Sequence, residues 1–289
     1  MKTCLICPAG RPAVAALAQN VPLSNLSVLG KSLLEYWLEN QAAIGAKHVL
    51  VLAVDRPELV RQLAGVGTRW GLNVEVIAET RELSPAFARE KYSAAKGDWL
   101  PKPHDVVSMT HFPGQPQNPL FTGYSSFFSA LLAWLPRAAT INRIGVRELQ
   151  PGIWIAMRAR IADSARLQAP CWIGEGARIG PRSIIGPGAI LENHVLVESD
   201  CDISNSMICT ETMVGKFAEL KESLACGGIM VDWRTGSLVK VPDPFLMCAL
   251  GNQLLPPRAT DWLRHLGAAL ARTHDDFQFL WKHRRIKLP

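Results

Sequence analysis

Every sixth residue from Ile155 to Ile203 is aliphatic: Ile155, Ile161, Leu167, Ile173, Ile179, Ile185, Leu191, Val197 and Ile203. The fifth residue of most of these hexads is small, as at Ala159, Ala165, Cys171, Ala177, Ser183, Ala189 and Cys201. The residue after the aliphatic one is often small or acidic, as at Ala156, Ala162, Gly174, Gly180, Gly186, Glu192 and Glu198. A helix at about 3.6 residues per turn would scatter the aliphatic side chains around its cylinder. A lone strand would need apolar residues at alternate positions between the hits. The period fits a parallel β-helix, in which each hexad is a short strand plus a turn and three hexads close a triangular coil. The aliphatic residue then points into the prism, and the small one sits at a crowded corner. After Ile203 the phase slips by one residue to Ile208, Val214 and Leu220, with Thr212 and Ala218 as small partners. One residue has been dropped at a corner, and about twelve hexads make about four coils.

A chain of 289 residues leaves ample material for a second core before the ladder. Residues 3–7 read as a buried strand, followed by a turn at Pro8-Ala9-Gly10-Arg11-Pro12. Val14 to Gln19 suit the opening of a helix. Leu33, Leu34, Trp37, Leu38 and Ile44 recur at helical spacing after Gly30-Lys31, and Gly45 ends that helix. Residues 47–54 are an apolar run bounded by Gly and Asp, the pattern of a parallel strand buried on both faces. Pro57 opens a helix with Leu59, Val60 and Leu63 as its apolar side. Residues 71–77 form another strand, ending at Glu79. Strand, helix, strand, helix, strand is the order of a doubly wound, Rossmann-like α/β sheet.

Residues 30–60, GKSLLEYWLENQAAIGAKHVLVLAVDRPELV, followed by RWGLNVEVIAE at 69–79, resemble the sugar-phosphate nucleotidyltransferase family, the NDP-sugar pyrophosphorylases. Many members append a left-handed hexapeptide β-helix, the order found here. The likeness covers about residues 1–80 and 150–250. It implies attack of a sugar 1-phosphate on a nucleoside triphosphate, with release of pyrophosphate and with Mg²⁺ held by carboxylates. Ala9 and Gly10 match the start of the family's first loop, and Ala9, Gly10, Arg11 and Glu79 are the implied nucleotide-binding positions. Past Gly10 the chain reads Arg11-Pro12-Ala13-Val14, without the family's second Gly and its Thr, and Pro12 removes a backbone donor. Residues 22–26 carry no Lys where the family has Pro-Lys-Pro. Residues 83–88 read LSPAFA, keeping Leu83 and Ala86 but no Gly. No Gly-Asp metal position is evident, so Asp98 and Asp105 stand as the candidates, while Asp55 ends a strand. Arg11 and Lys31 are the phosphate contacts left.

Residues 81–150 are short for a sugar-binding half. They hold Pro101, Pro103, Pro113, Pro116 and Pro119, then an apolar stretch from Phe127 to Leu135 that suits one helix stopped by Pro136. Beyond Leu220, Val231, Trp233, Leu238, Val239, Val241 and Phe245 are strand-like positions that suit a cap on the solenoid. Trp233-Arg-Thr-Gly-Ser reads as a capping turn, with a ligand loop as the alternative. Trp262, Leu266, Ala269, Leu270, Phe277 and Leu280 suit a helix or two ending in a basic tail, Lys282 to Lys287. The expected division is 1–110 nucleotidyltransferase-like, 111–150 Pro-rich loop and connector helix, 151–250 β-helix with cap, and 251–289 helical basic tail.

The net charge of +6 is too small to argue for nucleic acid. No apolar run is long enough for a membrane span, and the run before Pro8 is short for a secretory signal, so a cytoplasmic chain is expected. The seven cysteines read as reduced core residues, Cys4-x-x-Cys7 among them. His194 reads as a solvated corner residue, and no acid or nucleophile is placed beside His104 and His111. The functional expectation is an NDP-sugar synthase-like protein with impaired or lost catalysis, and Mg²⁺ only if active. One alternative is a non-catalytic regulatory or scaffold paralogue forming a homo-oligomer through its β-helix. A second is a hexapeptide-repeat acyltransferase with His194 as base.

Overall fold

Cys4 and Ile6 of β1 (Lys2–Ile6) point into one core, and Leu5, with Cys7 just beyond the strand, points into another. That alternation explains why the strand is apolar throughout: both faces are covered. The computed structural model describes residues 1–93, 97–138 and 143–250. β1 is followed by a small antiparallel hairpin, β2 (Ser27–Val28) and β3 (Lys31–Ser32), and by α1 (Leu33–Ala43). Ser32 caps α1, accepting from the Glu35 N–H while the Glu35 carboxylate accepts from the Ser32 N–H. Next come β4 (His48–Ala53), α2 (Pro57–Ala64), β5 (Asn73–Ala78), α3 (Pro85–Tyr92) and β6 (Val106–Ser108). The four main strands pair in parallel in the order β5-β4-β1-β6. Leu5, Val49, Val51 and Val74 share one core with α1, α2 and a fourth helix, α4 (Tyr124–Ala138). Cys4, Ile6, Leu50 and Leu52 share the other with Leu83, Ala88 and Tyr92 around α3.

Two helical expectations need correction. Val14 to Gln19 lie in a 3₁₀ segment, Pro12–Ala18, and its continuation. α4 runs through Pro136 to Ala138 where a stop was expected. Pro136 gives up one backbone donor close to the helix end, and the buried Phe127, Phe128, Leu131, Trp134 and Leu135 hold the helix in place.

β7 (Val146–Gln150) pairs antiparallel with β8 (Ile153–Ala156), and the coils begin there. Ile155, Ile173, Leu191 and Ile208 stack in register in one parallel sheet. Ile161, Ile179, Val197 and Val214 stack in a second, and Leu167, Ile185, Ile203 and Leu220 in a third. These are three faces of a parallel β-helix, compatible with the left-handed coil of hexapeptide repeats. The dropped residue appears as Ile190 pairing with Met207 and Leu191 with Ile208. From Ile173 to Ile208 the ladder is buried, whereas Ile161 and Leu167 of the first coil are only partly so.

The solenoid ends by changing strand direction. Residues 223–226 pair antiparallel with 229–232, which pair with 238–240, and residues 247–249 pair antiparallel with 212–214. Val231 and Met247 are buried in this cap, but Leu238, Val239 and Phe245 are at least half exposed, contrary to their expected closing role. The cap blunts strand edges rather than plugging the prism with those three side chains. Trp233 lies in the expected capping turn, stacked on Phe128 of α4 at 4.8 Å and donating to the Asn205 carbonyl. Cys209 and Cys226 are joined by a disulfide, which corrects the reading of all seven cysteines as reduced. They directly follow the pairs Met207–Leu224 and Ile208–Ala225, so the coil stacking itself brings them together. The expected helical tail, 251–289, lies outside the described residues.

The outward-facing residues of the first sheet bind the two parts together. Trp154, Trp172, Ile190, Met207 and Leu224 form one column and share the core of α1 and α4.

Candidate functional site

Loops at the carboxyl ends of β1, β4 and β5 lie side by side: Cys7 N–H donates to the Leu52 carbonyl, and Glu79 N–H to that of Ala53. This is the end of a parallel sheet at which ligands usually bind. Here the best anion donors are already engaged. The Ala9 N–H donates to Glu82 Oε2 at 2.9 Å. Arg11 Nη2 reaches Glu82 Oε1 at 2.8 Å and Oε2 at 2.6 Å. One carboxylate, Glu82, thus takes up both the Ala9 N–H and the Arg11 guanidinium. Beyond it the Val14 N–H turns back to the Arg11 carbonyl, and the Ala16 N–H donates to the Tyr124 hydroxyl. Gly10 has ordinary backbone geometry, and a side-chain carbon there would meet nothing within 4 Å. No close approach demands a glycine at this turn.

Glu79 does not join Arg11. It pairs with Lys91 at 2.7 Å and accepts from the Tyr92 hydroxyl. Burial opposes its charge, but Lys91 and Tyr92 more than offset this and hold the carboxyl below its ordinary range. Lys31 pairs with Glu39 at 2.7 Å, and Asp55 with Arg56 at 2.9 Å.

Asp98 and Asp105 fall at the wrong end of the sheet. The Lys2 N–H donates to the Asp98 carbonyl and the Cys4 N–H to that of Asp105, so both lie beside the amino end of β1. The length of β1, about 13 Å, separates that end from the loop. Asp105 is buried and paired with Arg89. Among the described residues no three His, Cys, Asp or Glu side chains cluster as metal ligands. Asp98 and Asp105 therefore do not share a Mg²⁺ site with the Ala9–Arg11 loop.

Cys4 and Cys7 sit in different cores, and burial pushes each thiol up to about 12, so they do not form a redox or metal pair. His104 is exposed near the amino end of the sheet. His111 packs edge-on against Trp37, and burial lowers its pKa. His194 occupies an outward corner at φ 57°, one of a column of left-handed corners with Arg158, Gly176 and Glu211. Its ring rests over Gly176 of the preceding coil, where an added carbon would lie 2.6 Å from Nδ1.

Three features escaped the reading of the sequence. Glu82 carries no motif. The column of outward residues repeats every third hexad, and that longer period was the available signal for a buried face. Glu192, fully buried, accepts from Ser27 Oγ at 2.9 Å, from the Gly30 N–H at 3.0 Å and from the Leu29 N–H. Leu29 (φ 53°) and Gly30 (φ 76°) form the tight turn of the β2–β3 hairpin, so one carboxylate from the coils seizes both turn N–H groups. Burial raises the Glu192 pKa despite these donors. Arg143 completes the junction, donating to the Ala138 and Leu29 carbonyls at 2.7 and 2.6 Å and lying 4.8 Å over the Trp172 ring.

No protein-family model matches the chain, and no curated protein matches it. Among solved structures it is similar to a mutant of perosamine N-acetyltransferase from Caulobacter crescentus in complex with CoA and GDP-perosamine. That likeness has 12% identity over 63% of this chain and 94% of the other, with a TM-score of 0.19, too slight to carry an argument about fold or function. Among the described residues no helix is long and apolar enough to cross a membrane.

Proposed function

We propose that this chain is a non-catalytic binding and assembly subunit on a nucleotidyltransferase-like plan, serving nucleotide-sugar or polysaccharide-precursor metabolism. The observation that carries this reading is Glu82: it consumes the Ala9 N–H and the Arg11 guanidinium, the two donors an incoming triphosphate would need. Nucleotidyl transfer depends on positioning and on neutralising phosphate charge. A loop whose cation is already neutralised, with its candidate metal carboxylates at the far end of the sheet, has little means of doing either. The β-helix then supplies assembly, with a homo-oligomer as the working form.

The test is pyrophosphate release from a panel of nucleoside triphosphates and sugar 1-phosphates with Mg²⁺. No turnover is expected, together with a stable multimer in sedimentation. Turnover abolished by Arg11→Ala, or a monomer at all concentrations, would sink the reading.

A second reading, hexapeptide-repeat acyl transfer, is favoured by one surface feature. Arg160 and Arg178 lie in register on neighbouring strands without a carboxylate partner among the described residues, and with Arg158 and His194 they line a depression. Such a surface suits the phosphates of an acyl-CoA, with His194 as base. Acyl transfer lost in His194→Ala would establish it. No acyl transfer to any amino sugar tried would remove it.

A further inference from the structure

We propose that the junction between the hairpin, the connector and the coils is a binding site for a small carboxylate. A cleft of about 290 Å³ opens there, lined by Gly30, Arg143, Val146, Met157, Trp172 and Asn193 among others. Its inner wall is tightly convergent. A carbon added at Gly30 would lie 2.9 Å from Arg143 Nη2, 3.4 Å from Asn193 Oδ1 and 3.4 Å from Trp172 Cζ2.

Two observations point to an acceptor-bearing ligand. Trp172 is fully buried, and its indole N–H has no partner among the described residues. A buried donor left unpaired calls for an acceptor. Arg143 uses three of its N–H groups, on the Tyr36 hydroxyl and the Ala138 and Leu29 carbonyls, and forms no salt bridge among the described residues. A guanidinium has five N–H groups, so two have no partner among the described residues.

The charge balance selects the ligand. Lys31 is neutralised by Glu39, Glu175 on the cleft wall is paired with Arg158, and burial opposes charge on Glu192, the carboxyl whose field Arg143 shares. A single negative charge matches Arg143, whereas a phosphate dianion would be set against Glu175. Val146, Ala156 and half-exposed Met157 offer an apolar wall to a short carbon chain. A carboxylate held here would touch both the hairpin of the first domain and the coils, and so would stiffen their junction. The site is independent of the Glu82 loop and of the non-catalytic reading.

The test follows the Trp172 indole N–H by NMR, assigned through Trp172→Phe, while the intact protein is titrated with hexanoate. A saturable downfield shift is expected, with Arg143→Gln weakening it about tenfold or more. Arg143 also braces the fold, so Met157→Trp, which fills the outer cleft from an exposed position, serves as the second variant; it should abolish the shift while leaving the melting temperature unchanged. Arg11→Ala should leave the shift intact. Absence of the shift, its persistence in Met157→Trp, or a response to inorganic phosphate at lower concentration than to hexanoate would overturn the proposal.

Discussion

Two faces of the same solenoid meet different fates. On one, the outward column is Trp154, Trp172, Ile190, Met207 and Leu224, and it disappears into a shared core. On the next, the equivalent column is Arg160, Arg178, Leu196 and Met213, and its two arginines are exposed. The inward ladder is alike on both. The backbone repeat therefore builds the coil, while the residue just before each ladder position decides what each face touches. A face of Trp, Ile, Met and Leu gains by leaving water, and a face headed by exposed arginines does not.

The largest expected effect breaks the buried face. Trp172→Ala should cost about 3–5 kcal/mol, from lost burial and the cavity left behind. The matched Arg178→Ala on the open face should stay within about 0.5 kcal/mol. Equal shifts in urea midpoints for the two would refute the contrast.

Glu192→Gln comes next. Its amide would face donors with a donor, leaving at least one turn N–H unsatisfied, at a cost of about 1–3 kcal/mol. The pH dependence has a defined sign. The folded-state pKa is raised above 4.5. The group's contribution is thus full below the unfolded value and is lost as pH rises through the folded one. Wild-type stability should fall across that window, and Glu192→Gln, though less stable overall, should lack the fall. Denaturation midpoints from pH 4.5 upward decide it; a wild-type rise would show that the turn N–H groups outweigh burial.

Glu82→Ala should change stability by less than about 1 kcal/mol, because its ion pair with Arg11 is partly solvated. Its main consequence should be at the loop: Ala9 and Arg11 are freed, and pyrophosphate should bind the variant more tightly than the wild type in calorimetry. Equal affinity would mean that Glu82 is not standing in for a ligand.

The smallest effect sharpens the open face. Arg178→Glu places opposite charges across from each other at Arg160, for a gain of about 0.2–1 kcal/mol that salt should erase. Thermal melts at low and high ionic strength would show it, and a gain that survives salt would exclude a charge origin.

Much of the fold was legible in the chain. The ladder, its slip after Ile203 and the strand–helix alternation before it all rest on local periodicity, and each appears where its spacing puts it. The misreadings have non-local causes. Pro136 fails to stop α4 because packing outweighs one lost donor. Cys209 and Cys226 meet only because coils stack. Leu238, Val239 and Phe245 look like core residues by composition, but in the folded cap each stays at least half exposed. The site was the least legible part, since Glu82 and Glu192 are ordinary carboxylates until the fold sets them against Arg11 and against the hairpin turn.

By itself the sequence determined a period-six solenoid behind a parallel α/β layer, because side-chain spacing dictates which residues can share an inside. Only the tertiary structure decided which outward face is buried, that the first loop is closed by its own carboxylate, and that the junction of the two parts leaves a cleft. Those outcomes depend on pairs such as Arg11 with Glu82 and Gly30 with Glu192, far apart in the chain and brought within hydrogen-bonding distance by packing alone.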